Sequence, residues 1–122
     1  MKDLLLIFAG GGLGSVVRFL LGRWVTGLHN LNFPLGTLVV NVIACFVLGV
    51  IVGFADHRQM LSAGTRLFWA IGFCGGFSTF STFSYENLLL IQEPNVGLSL
   101  LYVIVSVALC LGATMLGIVL AR

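Results

Sequence analysis
Residues 75–86 read GGFSTFSTFSYE and lie within an apolar run from about residue 67 to residue 91. Such a run can cross a bilayer, which takes about 20 apolar residues. Lipid accommodates the phenylalanines. It has no use for a glycine pair, five hydroxyls (Ser78, Thr79, Ser81, Thr82 and Ser84) and a carboxylate. Gly75 and Gly76 have weak helix propensity, so a helix break is predicted there, baring carbonyls and amides. Bare backbone is tolerated at membrane depth only where protein or a bound ion satisfies it. The following residues recur with a period of three. On a helix of 3.6 residues per turn this makes three short stripes: Ser78, Ser81 and Ser84; Thr79 and Thr82; Phe80 and Phe83. A lone Ser or Thr would bond back to a carbonyl one turn earlier. Five hydroxyls behind a glycine pair read instead as a polar line.

The rest of the chain sets this segment in a membrane. Of 122 residues, 59% are hydrophobic and only 8% charged, with a mean hydropathy of +1.13. Soluble domains carry about a quarter charged residues, so a chain this apolar could not cover a water-facing surface. Four apolar windows, at about 4–25, 35–55, 67–91 and 96–121, predict an all-α membrane protein. The reading is one domain over residues 1–122 with four transmembrane helices, the third broken at Gly75-Gly76. The stretches TGLHNLNFP, DHRQMLSAGT and QEPN hold both prolines and suit the short connections of an up-down-up-down bundle. The amino-terminal run lacks an A-x-A cleavage site and continues as a span, which argues against a signal peptide. Lys2, Arg58, Arg66 and Arg122 fall on the side of the termini. Arg23 falls on the other, with Arg18 about a turn and a half deeper. This bias leans toward cytoplasmic termini and is weak enough to permit insertion both ways. GxxxG spacings at Gly10/Gly14, Gly49/Gly53 and Gly72/Gly76, with Ala113/Gly117, predict close helix contacts.

Several function classes drop out. The net charge of +2 and the scattered cations carry no nucleic-acid footprint. Cys45, Cys74 and Cys110 are far apart in sequence, lack a CxxC and read as small packing residues. His29 and His57 have no partner at metal-ligand spacing. With no His in a span to serve as base, the serines form no catalytic set and the chain reads as a non-enzyme. No carboxylate is predicted near the middle of a span, which argues against a proton-coupled pump.

What remains is rich in donors. Arg18 reads as either a snorkelling cation or a pore-mouth residue. Asn41, in GTLVVNVIA, carries two donors and an acceptor, with Thr37 one turn earlier on the same face. Glu86 lies near the end of the third window, within reach of water or Arg18, and Glu93 lies in a loop. Hydroxyls, amides, an arginine and positive ring edges suit an anion, along a path that phenylalanines keep narrow. Four short helices leave little room inside one chain, so the path is expected at an oligomer interface. The residues by themselves leave two readings open: a narrow anion path, or a well-packed polar bundle.

GTLVVN, GFCGGFSTFSTFSYE and the GGGLGSVVR of the first window together resemble the Fluc (CrcB) family of fluoride channels, over essentially the whole chain. The resemblance implies a passive, selective channel that exports fluoride across the bacterial cytoplasmic (inner) membrane. It implies an antiparallel, dual-topology homodimer with two pathways along its interface and a structural Na+ at its centre. Fluoride would pass Phe80, Phe83, Asn41, Ser81, Thr82, Tyr102 and Ser106, with Arg18 and Glu86 nearby. The Na+ would be held by the backbone carbonyls of Gly75 and Ser78. Cys110 stands where some relatives have Ser. Two other classes compete. A small multidrug exporter needs a glutamate in the first span, which this chain lacks. A non-conducting structural membrane protein would tolerate substitution at Phe80 and Asn41. On the channel reading, Phe80→Ile and Asn41→Asp should lower flux with assembly intact, and a bulky residue at Gly75 should disturb folding.

Overall fold
The computed structural model describes residues 1–30, 33–58, 61–92 and 95–122. Glu93 and part of each predicted connection lie outside the described residues. Among the described residues all regular structure is helical. Helix α1 spans Lys2–Gly27, and α2 spans Leu35–Gly53 and continues as a π-helical turn over Phe54–Arg58. Helix α3, residues 63–77, joins Ala63–Arg66, a π-helical stretch Leu67–Phe73 and Cys74–Phe77. Helix α4 spans Phe80–Gln92 and α5 spans Val96–Ala121. Among the described residues, three helices are long and apolar enough to cross a membrane: α1, α2 with its extension, and α5. Their exposed faces carry large apolar side chains such as Phe8, Phe19, Leu111 and Met115, as a lipid-facing surface requires.

The interruption predicted at Gly75-Gly76 lies a few residues later. Both glycines belong to the last turn of α3, and the chain leaves the helix at Ser78, which is extended (φ −76°, ψ 155°). Gly76 serves packing rather than breakage. A Cβ on Gly76 would collide with the Gly11 carbonyl oxygen of α1. Ser78 ends the helix by bonding back, its Oγ donating to Cys74 O at 2.9 Å. For this one hydroxyl the carbonyl-bonding alternative to a polar line is the correct one.

Backbones approach closely in two parallel helix pairs. In α1–α3, Gly10 and Gly14 face the carbonyls of Phe68 and Phe73, while Gly72 faces that of Ile7. In α2–α5, Gly49 faces the Thr114 carbonyl and Gly117 faces that of Phe46. Every one of these contacts would place an added Cβ under 3.0 Å from backbone. The small residues therefore bind helices within one chain. Apolar side chains close the remaining space in two clusters. One joins Leu38, Leu90 and Tyr102, and the other joins Val40, Ala44 and Phe77.

Candidate functional site
The site is organised by the gap between α3 and α4. In an unbroken helix the Thr79 N–H would bond to Gly75 O and the Thr82 N–H to Ser78 O. Both donors go elsewhere. Thr79 N–H donates to Asn41 Oδ1 at 2.8 Å, and Asn41 Nδ2 donates to Thr79 O at 3.1 Å. Thr82 N–H donates to Thr79 Oγ1 at 3.2 Å, an N-cap on α4. The Thr79 hydroxyl donates in turn to Thr82 Oγ1 at 3.1 Å and lies 3.3 Å from Ser81 Oγ. One asparagine on α2 and one threonine thus replace the missing helical bonds. They leave the carbonyls of Gly75 and Ser78 without their helical donors.

The two helix ends that meet here carry opposite polarity. The end of α3 presents carbonyls and the start of α4 presents amides, the negative and positive ends of helix dipoles. Gly75 is exposed, and a Cβ built on it would meet nothing within 4 Å.

A row of rings follows. Phe80 is 77% exposed, and its ring centroid lies 5.5 Å from that of Phe83. Phe83 lies 4.9 Å from the fully buried Tyr102. The Tyr102 hydroxyl donates to Glu86 Oε1 at 3.2 Å. Glu86 shares a cavity of about 930 Å³ with Arg18, Arg23, Thr37, Thr79 and Thr82. Arg18 Nε is buried with no hydrogen-bond partner among the described residues, and so is Ser106 Oγ. Ser106 lies one turn beyond Tyr102 on α5 and outside that cavity. Gly75 and Ser78 line a separate cavity of about 160 Å³ with Cys45 and Cys74.

Residues 5–118 match a family model described as "CrcB-like protein, Camphor Resistance (CrcB)". The chain is 45% identical over 122 residues to a fluoride-specific ion channel FluC of Geobacter sulfurreducens, covering all of this chain and 98% of that protein. It is 41% identical over 124 residues to one of Pyrococcus abyssi and 38% over 122 residues to one of Azobacteroides pseudotrichonymphae, with the same coverage. The chain belongs to the CrcB family. The gap just described lies within residues 75–86 of this CrcB chain.

Two parts of this CrcB site escaped the sequence reading. Thr79 entered it only as a member of a stripe, although a Thr three residues before the Thr82 amide has the spacing of an N-cap. Asn87 was missed entirely. It is buried, donates from Nδ2 to Phe83 O at 2.8 Å and accepts from Ser99 Oγ at 2.9 Å. Its signal was an amide one turn after Phe83 in an apolar run.

Proposed function
We propose that the chain forms a passive, selective fluoride channel that lowers cytoplasmic fluoride, in a bacterial inner membrane. In this reading α3 and α4 together make a third, broken span between α2 and α5. Two chains pair in opposite orientations, and each pathway runs along their interface. The observation that carries the reading is the gap at Ser78-Thr79, where Asn41 holds an opened helix and hydroxyls gather at the start of α4. A small anion loses its hydration on entering, and donors must replace it. The start of α4 supplies N–H groups, the hydroxyls of Ser81 and Thr82, and a positive dipole end. The edges of Phe80 and Phe83 add partial positive charge along a narrow way, and Tyr102 and Ser106 continue it on α5. Arg18 gathers anions at the wide cavity, where Glu86 is held by Tyr102.

The exposed ring of Phe80 and the exposed hydroxyls of Ser81 and Ser84 support a partner chain over this face, because lipid gives hydroxyls nothing to bond. The carbonyls of Gly75 and Ser78, without their helical donors, fit a structural Na+, a hard cation that takes oxygen ligands. When bound it supplies positive charge that offsets carbonyl dipoles beside an anion path. The chain's own part is to present those carbonyls, which Asn41 and Thr79 do by taking the competing amides.

Fluoride efflux from liposomes containing the purified protein, followed with a fluoride electrode, tests this. Rapid fluoride release with negligible chloride release is expected. Comparable fluxes of the two ions would overturn the reading. A multidrug exporter finds no support, since α1 carries no glutamate.

A further inference from the structure
The three cysteines are distant in sequence, yet the fold draws them toward one level of the bundle. The α2–α5 pair sets the register. Gly49 packs on Thr114 and Gly53 on Ile118, a constant offset that one turn earlier puts Cys45 opposite Cys110. Both are half-buried and free. Cys45 also lines the small cavity that reaches Cys74 and Gly75, so the pair is not sealed by packing. Cys110 lies one turn beyond Ser106, whose buried hydroxyl has no partner among the described residues.

Two opposed thiols in an apolar setting select by chemistry. Thiolate sulfur is soft and prefers soft cations. No group of three or more His, Cys, Asp or Glu that could hold a metal occurs among the described residues, so a four-coordinate zinc site is not built here. A linear, two-coordinate divalent ion fits. It displaces one proton from each thiol: Hg2+ + 2 RSH → RS–Hg–SR + 2 H+. The product is neutral, which matters where an uncompensated charge is costly to bury. A monovalent soft ion would leave a net negative charge.

We propose that Cys45 and Cys110 form a two-coordinate site for a soft divalent cation, and that ligation there closes the conduction route beside Ser106. The second half rests on the fluoride-channel reading. The first half does not. Mercuric chloride, a neutral molecule able to enter the bilayer, is the probe.

The full-length protein in detergent is loaded with mercuric chloride and challenged with a monothiol competitor, following the near-ultraviolet band of mercury–thiolate bonds. The second thiol acts at high effective concentration, so Cys45→Ser and Cys110→Ser should each weaken retention by about 100-fold or more. Cys74→Ser should hold the ion as the parent does. Cys45→Ala and Cys110→Ala repeat the test should either serine variant fold poorly. Retention unchanged in the Cys45 and Cys110 variants, or lost in Cys74→Ser, overturns the site. In liposomes, block of fluoride efflux, scaled to each variant's own unblocked rate, should follow the same order. Mercury retained by the pair without block overturns the closure half. A parent that releases no fluoride overturns the channel reading, while the binding measurements still decide the site.

Discussion

At the scale of single residues, Asn41 carries the largest share of the site. Its amide has one acceptor and two donors, and the gap uses one of each against Thr79. Asn41→Leu leaves an N–H and a C=O of Thr79 without partners away from water. Each such group costs about 1–3 kcal/mol, and unfolding in mixed detergent should register the loss. A leucine variant as stable as the parent would show that the amide does not hold the gap. Asn41→Asp keeps the acceptor for Thr79 N–H and loses the donor to Thr79 O, so it should fold better than Asn41→Leu while still slowing fluoride efflux. Thr79→Val removes the cap on α4, at a cost of about 1 kcal/mol by the same unfolding measurement. The sequence marked Asn41 as expensive in a bilayer. It could not name the partner, because residues 41 and 79 meet only when α2 packs against the gap.

At the scale of elements, the glycines separate into packing and non-packing positions that look alike in sequence. Gly75 and Gly76 are adjacent, yet only Gly76 faces the α1 backbone. Gly76→Ala should therefore destabilise the fold by about 1–3 kcal/mol or more, as overpacking does, because backbone cannot rotate away. Gly75→Ala should leave the unfolding midpoint of the single chain nearly unchanged. Within one chain a Cβ at Gly75 meets open space. Equal destabilisation by the two substitutions would contradict the packing described. The GxxxG spacings announced close helix contacts, but not which helices would meet. Gly10 and Gly14 find α3, and Gly49 finds α5, since matching small faces must pair whichever helices the connections bring side by side.

At the scale of the whole molecule, the exposed Phe80 ring and the open carbonyl end of α3 lie on the same break, and both await a second chain in the proposed dimer. If Na+ bridges two such ends, replacing it with a large organic cation should weaken the dimer and slow fluoride efflux together. Glutaraldehyde crosslinking in detergent would report the first effect and the electrode the second. Assembly and flux unaffected by Na+ removal would count against the ion. Dual insertion is checked by labelling a cysteine added beside Arg122 in whole cells, where about half the molecules should react from either side.

Composition and apolar run lengths alone determined the membrane class and the helical windows, because lipid forces every spanning backbone to satisfy its own hydrogen bonds. The first, second and fourth windows agree with α1, α2 and α5 to within a few residues. The position of the break was decided by tertiary structure, as were the partner of Asn41, the ring row from Phe80 to Tyr102 and the meeting of Cys45 with Cys110. The reason is the same in each case. A helix gives way where side chains from elsewhere can replace its backbone bonds, and that place is set by how the helices pack rather than by local propensity at Gly75 and Gly76.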